Sequence, residues 1–358
     1  MSNMYKRRIE RLRNELDKKH VKLFIITDIR NCCYLTGFTG SEGVVLITST
    51  LVYLIVDFRY LEQAQKETKN VKILKKEKAL HVLLADVLKK YKNEKVAFES
   101  DSTTFREYEE IKSSLPNNRL IPTLNVVKIL RTIKYSDEIA SIEKAAEITD
   151  NVFRHICNFI KPDMKEMDIA TEIEYTAKKN GSHSMSFDTI AISGNKSSLI
   201  HGSPSNALVK KGIMLMDFGA GFSGYNSDMT RTIFIGKATA KQKEIYNIVL
   251  EAQQIAIESV IPGVNASYVD KAARNYISGK GYGEYFGHST GHGVGLDIHE
   301  LPNISSESDE VLQPDMVFTV EPGIYIPEWG GIRIEDMVQV TDNGYKIITK
   351  SSKEIIEI

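Results

Sequence analysis

Four carboxylates lie in apolar, strand-like segments in the C-terminal half of this 358-residue sequence. Asp217 and Asp228 flank the turn GAGFSG, and Glu321 and Glu335 flank the corresponding segment PEWGG. The near symmetry of each pair about its turn predicts that its two acids face each other across an antiparallel hairpin. Carboxylates this close in apolar surroundings repel unless something positive neutralises them.

Three arrangements would neutralise these acids. Ion pairs to Arg231 and Arg333 would offset the negative charge, or some of the acids would carry a proton. Alternatively, the acids converge on divalent cations, for which carboxylate oxygens are suitable ligands.

A histidine-rich segment favours the cation arrangement. The stretch GHSTGHGVGLDIHE holds three histidines within twelve residues, and SSLIHGSPS holds another; these are His288, His292, His299 and His201. A single histidine is usually a structural residue, whereas three among glycines, which permit close backbone approach, indicate a ligand site. Four carboxylates and one histidine suit two ions that share bridging carboxylates.

Such an ion pair supports hydrolysis of an amide, an ester or a phosphoester. It lowers the pKa of a bound water molecule and polarises a carbonyl oxygen. The motifs of other hydrolytic mechanisms are absent from the sequence. It has no HExxH motif of a single-zinc site, no GxSxG motif of a serine nucleophile and no catalytic-cysteine pattern around Cys32, Cys33 or Cys157.

The composition argues against several other classes of protein. The 46 Lys and Arg against 47 Asp and Glu give a net charge of -1, so no overall field favours nucleic acid or an anionic membrane. No run of about 18 apolar residues occurs, and the N-terminal segment is too charged for a signal peptide. With three cysteines and no disulfide framework, we expect a cytoplasmic protein with neither a nucleic-acid nor a membrane partner.

Two domains are expected from the length of the chain. Residues 1–130 alternate short Val- and Ile-rich strands with helical stretches, which predicts an α/β domain with a mixed sheet. Its first helix carries Ile9, Leu12 and Leu16 at helical spacing. Residues 121–130 are interpreted as an extended linker, and residues 131–358 as the second domain.

The second domain contains a duplicated plan. A helix, a proline-containing break, a second helix and a terminal glycine occur twice, with Pro162 to Gly181 and Pro262 to Gly281 both spanning 19 residues at an offset of 100. Each copy is followed by a stretch with glycine and histidine and then by one acid-bearing hairpin. The repeat predicts an α+β domain whose two halves are related by a pseudo-two-fold axis.

These motifs resemble the pita-bread metallopeptidases, and among them the Xaa-Pro peptidases, aminopeptidase P and prolidase. The resemblance extends from YLTGFTGS to IRIED through DFGAGFSGYNSDMTRT, GHSTGHGVGLDIHE and TVEPGIYIPEWGG. It implies a creatinase-like α/β domain followed by an α+β pita-bread catalytic domain. It also implies a dinuclear metal site with five ligands, namely Asp217, Asp228, His292, Glu321 and Glu335. Manganese is the expected metal, although cobalt or zinc suits a similar ligand set.

The resemblance further implies a role for each acidic group. Asp228 and Glu335 are expected to bridge the two ions, and Glu321 to exchange a proton with the bridging water. Arg333 is expected to orient an acidic ligand from outside the ligand set. The N-terminal amine of the substrate is expected at one metal ion beside Asp217.

Three histidines are expected to contact the substrate. The resemblance implies that His201 and His299 hydrogen-bond the substrate and the tetrahedral intermediate, and that His288 lies near the pocket for proline. The predicted reaction is attack by a metal-bound hydroxide on the carbonyl before proline, with proton delivery from Glu321 to the leaving nitrogen. By the same resemblance, the protein is expected to be a homodimer that acts on proline-containing peptides.

The preferred length of the substrate depends on one position. Archaeal-type prolidases carry an Arg shortly after the His-Glu pair, where it receives the terminal carboxylate of a dipeptide, whereas this sequence has Asn303. Because Asn binds a carboxylate less strongly than a bidentate Arg, the sequence favours an Xaa-Pro aminopeptidase that acts on longer peptides. The alternative is an Xaa-Pro dipeptidase (prolidase), in which another arginine such as Arg59 substitutes. In a different class, the chain is a non-catalytic peptide-binding scaffold with a vestigial metal site.

Overall fold

The structure is a computed structural model that describes residues 2–91, 94–113, 115, 119–161 and 163–358. The chain divides into two compact units, Met1–Arg131 and Thr132–Ile358. A mixed sheet organises the first unit, and the acids and histidines singled out above belong to the second.

The sheet of the N-terminal unit contains the strands β1 (Leu23–Ile26), β2 (Val44–Ile47), β3 (Val52–Val56), β4 (Lys72–Lys75), β5 (Val96–Glu99) and β6 (Leu120–Thr123). Their order is β4-β3-β2-β1-β5-β6, and β2 is antiparallel to both of its neighbours while the other pairs are parallel. The described helices are α1 (Ser2–Lys18), α2 (Ile29–Thr36), α3 (Leu61–Glu67), α4 (Leu80–Leu88), α5 (Phe105–Ser113) and α6 (Val126–Thr132). The predicted α/β class is confirmed.

Local apolar patterns account for most of this unit. Strands β1 and β3 are buried along their whole length, as the continuous runs LFII and VYLIV indicate. Helix α1 buries Ile9, Leu12 and Leu16, so its amphipathic pattern is confirmed.

The predicted extended linker at residues 121–130 is wrong. Its first part belongs to β6, which pairs with β5 in parallel, and a helix, α6, follows. Val126, Val127 and Leu130 are buried on one side of α6. These positions have helical spacing, but the pairing of β6 depends on a strand more than twenty positions earlier and leaves no local signal.

The C-terminal unit contains the helices α7 (Ser136–Phe159), α8 (Glu166–Lys179), α9 (Ala240–Glu258) and α10 (Ala266–Gly279). The strands of its first half are β7 (Ser184–Met185), β8 (Ile190–Ser193), β9 (Gly212–Phe218), β10 (Ala220–Phe222), β11 (Tyr225–Asn226) and β12 (Met229–Ile235). Those of its second half are β13 (Gly291–Gly293), β14 (Glu300–Ile304), β15 (Val317–Val320), β16 (Gly323–Ile326), β17 (Gly330–Arg333), β18 (Asp336–Thr341) and β19 (Gly344–Ile347).

The internal duplication is visible in the helices of this unit. Helices α8 and α10 are both 14 residues long and start 100 positions apart. Gly181 and Gly281, which follow them, have φ of +98° and +86°, a backbone conformation that favours glycine. Pro162, which opens the first copy, lies outside the described residues. One apolar core surrounds α7, α8 and β9, and another surrounds α9, α10 and β15.

Helix α7 is the longest described helix, with 24 residues. Asp137 and Glu138 lie in its first turn, where negative charge is favourable to the helix dipole. Charged residues occur along α7 among its apolar residues. In the described ranges, no helix is long and apolar enough to cross a membrane.

Candidate metal centre

The first acid-bearing hairpin is formed by β9 and β12. Asp217 of β9 pairs in register with Thr230 of β12, and Asp228 lies just before β12. The prediction that Asp217 and Asp228 face each other directly is therefore wrong. The two carboxylates lie at diagonal positions on one face of the hairpin, a spacing that a shared ligand can bridge.

The turn of this hairpin sets the diagonal register. Ser223 and Gly224 join β10 to β11, and both have positive φ, +50° and +83°. Positive φ at both central positions is typical of the two-residue turn that matches the twist of a hairpin. The turn is centred between Ser223 and Gly224, one residue beyond the midpoint of the two acids.

The second acid-bearing hairpin places its two acids directly opposite each other. The β15–β18 pairing ends at Val320 and Asp336, and the β16–β17 pairing begins just beyond, at Gly323. Glu321 and Glu335 lie between these two pairings at matching positions. The expected arrangement of this pair is confirmed.

Two glycines let the backbone close up beside the acids. A Cβ on Gly219 would lie 1.8 Å from the carbonyl oxygen of Ser227, and a Cβ on Gly291 would lie 1.8 Å from the carbonyl oxygen of Thr319. No side chain fits at either distance. Gly219 and Gly291 therefore allow the strands that carry the acids and the histidine to approach closely.

His292 in β13 lies between the two hairpins. Its Nε2 atom is 3.5 Å from Asp228 Oδ2 and 3.4 Å from Glu321 Oε1, and its Nδ1 is 3.1 Å from the carbonyl oxygen of Gly293. Burial lowers the pKa of His292, which favours the neutral ring that binds a metal ion. One ligand atom each from Asp228, His292 and Glu335 lies within 4.8 Å of the others.

The acids of this cluster have oxygens that no described residue contacts by a hydrogen bond. Asp217 Oδ1 and Glu335 Oε1 are buried and accept none. Burial and the neighbouring acids raise the pKa of Asp228 and Glu335 well above the usual range of a carboxyl group, and burial raises the pKa of Glu321 to about 7. Buried acids of this kind require compensation, and oxygen and imidazole donors with free lone pairs fit divalent cations.

The two arginines that the sequence offers to neutralise the acids, Arg333 and Arg231, have different partners. Arg333 donates from Nη2 to Asp217 and from Nε to Thr230 Oγ1, at 2.9 Å in the second case. It therefore contacts one predicted ligand, as expected. Arg231 donates to Asp336, 2.7 Å away, and so neutralises an acid outside the cluster.

Sequence reasoning missed two threonines that hold the acids. Thr230 Oγ1 donates to Glu335 Oε2 at 2.7 Å, and Thr319 Oγ1 donates to Glu321 Oε1 at 3.1 Å. Thr230 lies two residues after Asp228, and Thr319 lies two residues before Glu321. Because residues two apart in a strand share a face, this spacing is the signal that would have found them.

The three predicted substrate-binding histidines, His201, His288 and His299, line one cavity of about 770 Å³ together with all five predicted metal ligands. His288 Nε2 is 2.9 Å from Tyr325 Oη, and burial lowers the pKa of His288 to about 4, so the ring is neutral at neutral pH. The ring of His299 packs edge-on against that of His292, with centroids 4.2 Å apart. The cavity thus brings the predicted metal ligands together with three further histidines that can form hydrogen bonds.

This combination is what metal-dependent hydrolysis requires. A model of metallopeptidase family M24 matches residues 140–342, and a model of the creatinase/prolidase N-terminal domain matches residues 8–133. The chain belongs to metallopeptidase family M24. Members of this family use divalent metal ions, and the α/β N-terminal domain and pita-bread catalytic domain implied by the sequence motifs are confirmed.

Relatives of this M24 chain cover nearly its whole length. The structure of a Xaa-Pro dipeptidase from Bacillus anthracis is 43% identical, with a TM-score of 0.96 over 99% of this chain and 100% of that one. A Xaa-Pro dipeptidase of Pyrococcus horikoshii is 39% identical over 98% of each chain. The structure of an X-Pro aminopeptidase from Thermotoga maritima is 36% identical, with a TM-score of 0.90 over 98% of this chain and 99% of that one.

Proposed function

We propose that this metallopeptidase hydrolyses the bond before proline in Xaa-Pro dipeptides. The observation that carries the proposal is the whole-length similarity to chains named Xaa-Pro dipeptidase. The cavity supports it, because a cation-binding cluster and three further histidines meet there. The comparisons favour this substrate over the longer peptides that Asn303 led us to expect.

The proposed metal content is two divalent ions, with manganese expected and cobalt or zinc suited to the same donors. Bound between the hairpins, the ions would supply an activated water and polarise the carbonyl oxygen. Asp217, Asp228, His292, Glu321 and Glu335 are the proposed ligands. Arg333 and Thr230 keep the acids in position through the hydrogen bonds described above.

Glu321 is the proposed proton carrier of the reaction. Its carboxyl group lines the cavity with the other proposed ligands, where it can accept a proton and release it again. Thr319 fixes one of its oxygens, and Glu321 can then pass a proton to the leaving nitrogen of proline. His201 and His299 are proposed to bind the carbonyl oxygen as negative charge develops on it. The neutral His288, held by Tyr325, is proposed to contact the prolyl side of the substrate.

A second candidate, an Xaa-Pro aminopeptidase that acts on longer peptides, is favoured by the lining of the cavity. Among its described lining residues, the only arginine or lysine is Arg333, whose donors already contact Asp217, Thr230 and Tyr325. Asn303, which stands at the position where archaeal-type prolidases carry their carboxylate-binding arginine, lines the cavity. Arg59, the alternative receptor suggested by the sequence, pairs with Asp57 and Glu42 within the N-terminal unit.

The test compares kcat/KM of the manganese-loaded enzyme for Xaa-Pro and Xaa-Pro-Yaa substrates that share the same first residue. We expect the dipeptide to be cleaved at least about tenfold more efficiently, because a bound carboxylate adds roughly 1.4 kcal/mol or more. A reversed preference would establish the second candidate instead. If the metal-loaded protein cleaves neither substrate, both enzymatic functions are contradicted. The non-catalytic peptide-binding scaffold is then the remaining hypothesis.

One substitution separates the two candidates further. Asn303→Arg is expected to raise kcat/KM for Xaa-Pro dipeptides about tenfold, since a charge-assisted bond to the carboxylate replaces a neutral one. Asn303→Gln is the matched control, because it lengthens the side chain without adding charge. Equal effects of the two variants would show that charge at this position does not select the substrate.

A further inference from the structure

His201 is carried by the loop of residues 193–205, here named the His201 loop. The loop runs from the end of β8 through a short 3-10 turn at Gly194–Ser198. No group among the described residues forms a hydrogen bond with the His201 ring, and the side chain is exposed to the cavity. The position of the ring at the cavity therefore depends on the backbone of the loop.

A single buried carboxylate fastens both ends of this loop. Glu166, at the start of α8, is 1% exposed. Its Oε1 accepts from Ser193 N at 2.8 Å and Ser193 Oγ at 3.2 Å, at the beginning of the loop. Its Oε2 accepts from Ser205 N at 3.2 Å and Ser205 Oγ at 2.9 Å, at the end, and from Lys196 Nζ at 2.7 Å. Both oxygens of Glu166 are thus used within the same loop.

The middle of the loop is attached to the second acid-bearing hairpin. Ser197 Oγ accepts from Gly331 N of β17 at 2.8 Å. A Cβ on Gly331 would lie 2.2 Å from the carbonyl oxygen of Ser197, so the contact is too close for any other residue. Glu166 and β17 together hold the loop from two sides, and β17 continues to Glu335.

The second half of the unit repeats this device. Asp270 of α10 is fully buried and accepts from Thr290 N at 3.0 Å and Thr290 Oγ1 at 2.9 Å. It also pairs with Arg274, which donates to the carbonyl oxygens of Phe286 and His288. In each half, a buried acid on the second helix thus fastens the segment that carries a cavity-lining histidine. Asp270 lies four residues further along its helix than Glu166 does, so the two contacts are built from different positions of the repeat.

We propose that Glu166 is a positioning residue for catalysis, which acts by holding His201 at the cavity. The role rests on the proposed function, because it assumes that His201 contacts the substrate. Glu166 does not line the cavity, and its hydrogen bonds go to Ser193, Lys196 and Ser205 rather than to a predicted metal ligand. Its loss should therefore impair the use of substrate while leaving metal binding intact.

The first test is the variant Glu166→Gln in the full-length, metal-loaded protein. Gln keeps the shape but places an amide NH2 group against the Ser and Lys donors. We expect kcat/KM for the better Xaa-Pro substrate to fall about 10- to 100-fold, as small displacements of a catalytic group do, with unchanged metal content. Glu172→Gln is the matched control on the same helix, since Glu172 pairs with His155 and does not contact the loop.

A double-mutant cycle separates positioning from general weakening of the fold. In the His201→Ala background, Glu166→Gln should have almost no further effect on kcat/KM, because the group that Glu166 positions is gone. Additive losses would overturn the proposal. Ser205→Ala removes one hydroxyl donor to Glu166 and gives a milder version of the same cycle if Glu166→Gln folds poorly.

Amide hydrogen exchange of the substrate-free protein tests the anchoring without any activity. Glu166→Gln should speed exchange across residues 194–204 and leave residues 286–290 unchanged, while Asp270→Asn should do the reverse. Unchanged exchange at residues 194–204 would overturn the anchor. If the exchange pattern holds but wild type cleaves no Xaa-Pro substrate, the proposed function fails and the assignment of Glu166 to catalysis fails with it, while the anchoring contact stands.

Discussion

Glu335 and Asp336 are consecutive residues with opposite surroundings. Each is 1% exposed. Asp336 accepts hydrogen bonds at 2.6–2.9 Å from four side chains, namely Arg231, Gln253, Thr349 and Lys353. Glu335 accepts one, from Thr230, and its Oε1 accepts none from the described residues. Asp336 thus belongs to a complete network of ion pairs and hydrogen bonds, whereas the charge of Glu335 is not compensated.

The pKa values of the two acids follow their surroundings. Burial opposes ionisation of Asp336, but Arg231 and Lys353 outweigh it and lower the pKa of its carboxyl group. Burial raises the pKa of Glu335, and the acids Glu321 and Asp217 raise it further. Burial alone does not show whether an acid has a structural or a functional role. The hydrogen-bond partners of its oxygens do, because a buried acid that lacks donors indicates a site for a ligand or for catalysis.

The largest effect should come from an uncompensated acid that acts in catalysis. Glu321→Gln is expected to lower kcat about 10³-fold or more, because the amide cannot exchange a proton. Glu328→Gln, in the exposed turn of the same hairpin, is the control. Kinetics and metal analysis are measured on the same preparations. Unchanged turnover at full metal occupancy would remove Glu321 as the proton carrier.

The next effect contrasts Asp336 with its neighbour directly. Asp336→Asn should reduce the free energy of unfolding by about 3–5 kcal/mol, because it leaves buried Arg231 and Lys353 without their acid. In metal-free protein, Glu335→Gln should cost nothing or stabilise slightly, because it replaces an acid whose ionised form is disfavoured by burial and by Glu321. Urea unfolding of both variants without metal is the measurement. A similar decrease in the free energy of unfolding for both variants would show that Asp336 and Glu335 do not differ in their contribution to stability.

A smaller effect concerns the pH dependence of the metal-free protein. The folded-state pKa of Glu321 is raised to about 7 from 4.5, so the folded protein binds its proton more tightly than the unfolded chain. The resulting stability is complete below pH 4.5 and is lost as the pH rises through 7. At 1.36 kcal/mol per pKa unit, the loss is about 3 kcal/mol.

Thermal unfolding between pH 5 and 8 measures this loss. Glu321→Gln is the control, because residue 321 no longer titrates and the loss should be smaller than in wild type, with only the other raised acids contributing. Added manganese should remove the loss, since the ions bind the ionised acids. Stability of the metal-free protein that rises from pH 5 to 8 would contradict the account of uncompensated acids.

The smallest effect tests Thr230, the one side-chain donor to Glu335 within the described part of the chain. Thr230→Val keeps the shape of the side chain and removes the hydroxyl that donates to Glu335 Oε2. Metal affinity should weaken about tenfold, as is typical when a partner of a metal ligand is removed. Thr232→Val, on the same strand but bonded to the carbonyl oxygen of Arg333, is the control. Calorimetric titration that shows equal affinities would make Thr230 merely structural.

The sequence predicted the components of this centre better than their geometry. The acids and histidines that their spacing singled out as candidate site residues all line one cavity. The diagonal register of Asp217 and Asp228 depended on a turn of two residues with positive φ, which a symmetric reading of GAGFSG did not locate. Thr230 and Thr319 were missed because threonine is common in strands and does not by itself indicate a site. The signal in the sequence is that each lies two residues from an acid.

The fold was predictable where the signal was local. Strand β3 coincides with the run VYLIV, and the repeat at an offset of 100 reappears as α8 and α10. Strand β6 was missed because its partner, β5, lies more than twenty positions earlier. Helix α6 was missed although Val126, Val127 and Leu130 have helical spacing, because the segment is short. Likewise, Glu166 gave no sequence signal, since its donors lie 27 to 39 positions later.

The most direct test of the central claim is calorimetric titration of manganese into metal-free protein, with Glu335→Gln and Glu328→Gln titrated in parallel. The account predicts two ions per chain in wild type and in Glu328→Gln, and a loss of affinity in Glu335→Gln because one of the proposed ligand carboxylates is gone. Failure of the wild type to bind any divalent ion in excess, or equal binding by Glu335→Gln, would contradict it.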